Sequence, residues 1–263
     1  MHRGGEQLVA ARGRPGGASE LHRLVDVVGA ALLFIVALPL LLVALAGSAL
    51  SFRAWPIFTQ ERVGQHGRPF RFVKVRSLPP TTQVDADKYA IAAIEQAPFG
   101  RYLRSSHVDE LPQLLLVITG KMSLVGPRPE MERLATTLFT PAFQEERTRV
   151  LPGCTGLWQI SVDAGRLIGE VPEYDLAYVR SATLRLDLWV LWRTFLQLLT
   201  PAAPVTLDDI PWWTGFRRQA RPEPAAAAPL AAVNGHRPTA TPDPVASPAM
   251  AEAMSGPAEK ERP

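Results

Sequence analysis

Val27–Phe52 is a run of 26 residues without one charged side chain. A helix of that length reaches roughly 39 Å at 1.5 Å per residue, more than the ~30 Å hydrocarbon core of a bilayer. The run is also longer than the apolar region of a signal peptide, so a membrane helix is the expectation. Two details decide how it sits. Pro39, at its middle, removes a backbone hydrogen bond and crowds the preceding turn. The flanks are basic on both sides: Arg3, Arg12, Arg14 and Arg23 before the run, and Arg53, Arg62, Arg68, Arg71, Lys74 and Arg76 after it. Basic flanks favour the cytoplasmic face, and here both ends qualify. A helix that enters, bends at Pro39 and returns satisfies this, with arms of ~20 Å that reach about one leaflet each. A tilted single span with a proline kink satisfies the length equally well. The residues themselves leave these two arrangements level.

The remainder divides by composition. Residues 1–19 read as a flexible arm. Pro56–Leu78 reads as a β-hairpin, with strand-like Pro56–Gln60 and Phe70–Val75 around the turn residues Gly64–Gly67. Residues 79–97 suggest a loop and a weak helix. Val108–Thr119, Glu130–Leu138, Pro141–Val150 and the stretch from Pro172 read as helices. Leu151–Ile160 reads as a tight loop or short strand. Leu184–Leu199, an apolar stretch carrying Arg185, Asp187, Arg193, Trp189 and Trp192, suits either an interfacial helix or a core helix with a wet edge. Trp212 and Trp213 could add an interfacial anchor. Residues 201–263 form a Pro/Ala-rich tail, expected to be mostly disordered. One cysteine, Cys154, allows no disulfide within the chain and is expected to be a packing residue.

Chemistry concentrates in Arg101–Pro129. The adjacent carboxylates Asp109 and Glu110 lie among Arg101, Arg104 and Arg128, and the segment closes in Gly126-Pro127-Arg128-Pro129. Carboxylates among arginines suit phosphate chemistry, where one acid attacks or holds a metal and cations hold phosphate oxygens. The same residues also suit a helix N-terminus, because acidic groups and Pro112 favour a first turn. A net charge of +3, without a recognition-helix pattern among the basic residues, excludes nucleic acid as a partner. No Walker sequence, Gly-x-Gly-x-x-Gly motif or His/Cys metal spacing is present, and His107 reads as structural.

The ordered motifs resemble the bacterial sugar transferase family, the monotopic polyprenol-phosphate phosphoglycosyl transferases. The matching residues are Leu24-Val25-Asp26, Pro39, Phe58–Gly64, Phe70–Ser77, Leu103–Ser105 with Asp109–Leu114, Gly120–Pro129, Pro152–Gln159, Tyr174–Leu176 and Leu186–Leu188. The resemblance implies an α+β, mostly helical fold with an N-terminal re-entrant membrane helix over 20–53, a small β-hairpin and interfacial amphipathic helices. It implies a catalytic domain over 54–200 on the cytoplasmic face of a bacterial membrane. It implies transfer of a sugar-1-phosphate from a nucleotide diphosphate sugar, usually uridine-linked, to a polyprenol phosphate, at the start of a surface glycan. In that scheme Asp109 is the nucleophile that carries a covalent phosphosugar and holds Mg²⁺, and Glu110 assists it. Arg104 contacts the lipid phosphate, Lys74 and Arg76 line the site, and Pro127, Arg128 and Pro129 bind the nucleotide sugar. Arg166 stands where the family has a further arginine, after about three extra residues. Membrane lipid and a second copy of the chain complete the expected partners. The chain departs from the family at Leu38, His107, Leu116, Lys121 and Leu151, changes that touch substrate contacts more than the carboxylate pair itself. Those departures and the tail keep an alternative in view, a membrane-anchored scaffold whose catalysis has lapsed.

Overall fold

A computed structural model describes residues 20–82, 97–200 and 202–216. The arm before Glu20, most of the loop after Leu78 and the tail beyond Phe216 lie outside the described residues. Within them the protein is mostly helical, with two small two-stranded sheets.

Helix α1, Glu20–Phe52, is 33 residues long and runs on through Pro39. Among the described residues it is the one helix long and apolar enough to cross a membrane. Its inward side is a stripe of Ala30, Phe34, Ala37, Leu41, Ala44 and Ser48, spaced by three or four residues as one helical face requires. Alanine every seventh residue lets the helix lie close on its support. The opposite face, including Leu32, Ile35, Val36, Leu40, Val43 and Leu50, is exposed. So much unpartnered apolar surface is costly in water, at roughly 25 cal/mol per Å².

Both ends of α1 grip the same folded domain. Near the start, the Arg23 guanidinium donates to the Val117 carbonyl at 2.5 Å and the Met122 carbonyl at 3.3 Å. The Asp26 carboxylate accepts from the Ser123 hydroxyl at 2.7 Å and from the Leu124 N–H at 3.1 Å. Near the end, the Ser48 hydroxyl donates to the Arg76 carbonyl at 2.7 Å. Leu41 and Ala44 join Val75, Leu103 and Val108 in a compact apolar cluster.

The expected hairpin forms from β1 (Ile57–Val63) and β2 (Pro69–Val75), paired antiparallel from Ile57 opposite Val75 to Val63 opposite Pro69. Helix α2 (Pro98–Ser105) begins on a proline, whose missing N–H costs nothing in a first turn. The expected helix over 108–119 divides. Val108–Glu110 is a 3₁₀ turn, entered through His107 in the left-handed region (φ 58°), and α3 spans Gln113–Ile118. Pro112 is the physical reason: lacking an N–H, it cannot close an α-turn onto the Val108 carbonyl. The backbone instead uses three-residue closures, such as Leu111 N–H to Val108.

After α3 come β3 (Ser123–Val125), α4 (Glu132–Leu138), α5 (Pro141–Arg147) and β4 (Gly153–Thr155). β3 and β4 pair in parallel. Gly126 and Gly153 lie so close that a Cβ on Gly153 would overlap the Gly126 backbone, which accounts for glycine there. Helix α6 spans Glu173–Ser181, and α7 spans Leu184–Leu199 as expected, with the Thr183 hydroxyl capping the Leu186 N–H at 3.1 Å. α7 has two apolar faces. Leu186, Trp189 and Val190 are core, while Leu188, Trp192, Phe195 and Leu199 form an exposed stripe at helical spacing. The domain continues past the expected boundary at 200: Val205, Ile210 and Thr214 are buried, and the Thr183 hydroxyl donates to the Thr214 carbonyl.

Candidate active site

The 3₁₀ turn at 108–110 packs against β2 and presents its two carboxylates to different surroundings. Asp109 is only 4% exposed. Its Oδ2 accepts a hydrogen bond from the Ser77 hydroxyl at 2.9 Å, two residues past the end of β2. Burial, helped by the neighbouring Glu110 charge, raises the Asp109 pKa above the ordinary carboxylate range, against the pull of Lys74, Ser77 and Arg104. Glu110 behaves oppositely. Its Oε1 pairs with Arg128 Nη2 at 2.9 Å. Burial alone would push Glu110 up; the charge and hydrogen bond of Arg128, with Lys74, hold it down to about 2. The Glu110 carboxylate in turn raises Arg128. Two adjacent carboxylates with divergent titration are suited to different roles. One oxygen of Glu110 is committed to a cation, whereas the hydrogen bond Asp109 accepts comes from a neutral hydroxyl.

Lys74 sits in β2 with its ammonium 5.3 Å from the Phe58 ring centre. Burial depresses it to about 8, opposed by the charges of Asp109 and Glu110. Arg104, at the end of α2, lies within electrostatic reach of both Asp109 and Lys74. Thus Lys74, Arg104, Asp109, Glu110 and Arg128 form one charged cluster. Arg76 shares the Phe58 ring with Lys74, its guanidinium 6.0 Å from the ring centre, and its Nε donates to the Trp55 carbonyl at 2.8 Å. Arg166 is 53% exposed and pairs with Asp163 at 3.6 Å and Glu170 at 3.4 Å, both close neighbours in the sequence. His107 contributes its left-handed turn and a positive influence on Glu110. Burial pushes the Cys154 thiol far up, as suits packing rather than attack.

The Pro127–Pro129 turn is held at successive carbonyls. Pro127 accepts from the Gly153 N–H at 2.9 Å, Arg128 from Arg147 Nη2 at 2.7 Å, Pro129 from Arg62 Nη1 at 2.9 Å, and Glu130 from the Val63 N–H at 2.9 Å. Ser77, Arg62, Arg147 and its partner Asp175 were not among the residues expected from the sequence. Each acts across the chain, as in the 32-residue separation of Ser77 from Asp109, so the local sequence does not show its partner. Ser77, Arg62 and Asp175 do lie within the Phe70–Ser77, Phe58–Gly64 and Tyr174–Leu176 motifs, which were the available signal; Arg147 lies in none.

The profile of the bacterial sugar transferase family matches residues 18–201, a stretch that contains every member of this cluster. The chain belongs to that family. It is 34% identical over 206 residues to UDP-glucose:undecaprenyl-phosphate glucose-1-phosphate transferase of Caulobacter vibrioides, covering 71% of this chain and 75% of that protein. It is 34% identical over 184 residues to the Klebsiella pneumoniae protein of the same name, covering 65% of this chain and 38% of that one. It is 31% identical over 188 residues to exopolysaccharide production protein ExoY of Rhizobium meliloti, covering 65% of this chain and 82% of that protein. The chain therefore spans well under half of the Klebsiella relative and most of the other two.

Proposed function

We propose that this family member transfers a sugar-1-phosphate from a UDP-sugar to a polyprenol phosphate at the cytoplasmic face of a bacterial membrane, starting a surface polysaccharide or glycoconjugate. The observation that carries this reading is the buried Asp109, hydrogen-bonded to Ser77 and ringed by Lys74, Arg104 and the Glu110–Arg128 pair. The reaction has two steps. An Asp109 oxygen attacks the β-phosphorus, the bond to the bridging oxygen breaks, and uridine monophosphate leaves. The polyprenol phosphate oxygen then attacks the Asp109-bound phosphosugar, forms the lipid diphosphate sugar and returns the carboxylate. Arg128, stiffened between two prolines, holds phosphate oxygens of the donor at small entropy cost. Lys74 and Arg104 neutralise charge around Asp109, with Arg104 toward the lipid phosphate. Glu110 fixes Arg128 and orients the acceptor. Arg76, at the same Phe58 ring as Lys74, lines the site with it, and the exposed Arg166 is assigned to the distal donor.

The donor set suits Mg²⁺ bound with substrate. Among the described residues no group of three metal-ligating side chains exists. Mg²⁺ commonly needs only one or two carboxylates, with phosphates and water completing its shell. Asp109, the carboxylate outside the ion pair, would hold it. The ion would neutralise phosphate charge as the anion approaches.

The re-entrant arrangement of α1 draws support from its contacts at both ends with one domain. A helix crossing the bilayer carries one end away from that domain. The exposed face of α1, the Leu188–Leu199 stripe of α7 and exposed Trp55, Trp212 and Trp213 would then meet lipid. Pro39→Ala, which restores the missing hydrogen bond, is expected to favour a spanning helix and abolish activity. Cysteine labelling at both ends of α1 reads the outcome, and unchanged topology with full activity would refute the bend.

Membrane fractions supplied with polyprenol phosphate and a panel of UDP-sugars test the reaction itself. Release of uridine monophosphate together with lipid-linked sugar is expected. Absence of turnover across the panel would favour the scaffold instead. The pH profile is a separate check. Because kcat/KM reports the free enzyme, it should rise with pH as Asp109 ionises above the ordinary carboxylate range, then fall through about 8 as Lys74 loses its proton. Lys74→Arg should remove the basic limb; a native profile flat to pH 9 would exclude Lys74 as a required cation.

A further inference from the structure

The sequence motif at Tyr174-Asp175-Leu176 has no part in the chemistry above, yet Asp175 lies at the end of a chain of contacts leading into the site. Arg147 and Asp175 side chains are 2% and 3% exposed and pair at 2.7 Å. Arg147 donates to Asp175 Oδ2 through both Nε (2.9 Å) and Nη2 (2.7 Å). Phe139 and Phe143 flank the guanidinium, with ring centres at 4.9 and 5.6 Å. The same Nη2 donates to the backbone carbonyl of Arg128 at 2.7 Å. Arg128 then reaches Glu110 with its own guanidinium.

Stability alone is a poor account of such a pair. Burying two charges is expensive, and matched apolar side chains often do as well or better. An apolar side chain, however, cannot hold a carbonyl. Pro127 and Pro129 fix their own φ angles, and Pro129 confines Arg128 to extended backbone. The remaining freedom of that peptide is removed by a donor on the Arg128 carbonyl. Arg147 is that donor, and Asp175 fixes its direction from the far side.

We infer that Arg147 and Asp175 are positioning residues that aim Arg128 at Glu110 and at the donor diphosphate. The pair acts on the reaction through Arg128 and touches no reacting atom. This inference rests on the transferase reading for its kinetic consequence, but its structural consequence stands independently.

The test uses the full chain in lipid nanodiscs and the double variant Arg147→Met/Asp175→Leu, which leaves no unpaired charge behind. Its thermal midpoint is expected to stay close to that of the natural protein. With polyprenol phosphate and the UDP-sugar of the panel that is turned over, the KM for donor should rise tenfold or more while the KM for lipid acceptor changes less than twofold. Arg147→Lys keeps a charge toward Asp175 but loses the fork that reaches both partners, and should recover only part of the lost affinity. Native donor KM in the double variant would overturn the inference.

A substrate-free measurement covers the other contingencies. Arg128→Ala should lower the thermal midpoint of the natural protein by about 2–12 °C and that of the Arg147→Met/Asp175→Leu protein by less than half as much. Equal losses in the two backgrounds would overturn the positioning role, even if no UDP-sugar were turned over. Unequal losses without turnover would leave positioning intact and sink the transferase reading alone. Should the double variant fail to fold, Asp175→Asn carries the same two comparisons.

Discussion

Asp109→Asn is expected to abolish sugar-phosphate transfer, with loss on the order of 10³-fold or more because the proposed nucleophile is removed. Asparagine keeps the shape and an acceptor for the Ser77 hydroxyl, so the turn at 108–110 should survive. The thermal midpoint should stay near the native value or rise, since the substitution relieves a buried charge that desolvation and Glu110 already disfavour. Inactivity with an intact fold is therefore the informative combination. Kinetics and thermal unfolding on the same preparation provide it. Substantial residual transfer by Asp109→Asn would assign attack to another group.

Arg128→Ala should reduce kcat/KM by about 10²–10³-fold, the scale for removing a preorganised charge partner of a transferring phosphoryl group. It should also cost about 1–3 kcal/mol of stability by leaving the largely buried Glu110 without its partner. Arg128→Lys separates these effects. A lysine keeps the charge and part of the stability, but lacks the planar fork that binds phosphate oxygens. Native kcat/KM in Arg128→Lys would mean that the residue supplies charge alone.

Much of this was legible in the chain. The charge-free run marked α1, strand-like residues around a Gly-rich turn marked the hairpin, and α7 was readable to its ends because its apolar background continues past Arg185, Asp187 and Arg193. Asp109, Glu110, Lys74, Arg104 and Arg128 could be picked out because each sits in a short motif. The rest depends on contacts that local pattern does not encode. β3 and β4 are three residues each, too short to show a period; β4 falls in the stretch read as a tight loop or short strand, but its parallel pairing with β3 across the chain has no local signal. The helix expected over 108–119 was apolar enough, but one proline redirected its first turn into 3₁₀ geometry. Ser77, Arg62, Arg147 and Asp175 take their importance from partners 19 to 67 residues away. Arg166 shows the converse: a motif match with a plausible residue type, whose contacts are with its own neighbours.

The account turns on a phosphosugar carried by Asp109. Its most direct test is incubation of the nanodisc-embedded protein with donor labelled at the β-phosphorus, without polyprenol phosphate, followed by rapid quenching and mass spectrometry of the protein. Label on Asp109, in step with uridine monophosphate release and absent from Asp109→Asn, is the predicted result. Transfer that requires the lipid acceptor for any uridine monophosphate release, with no label on the protein, would contradict it.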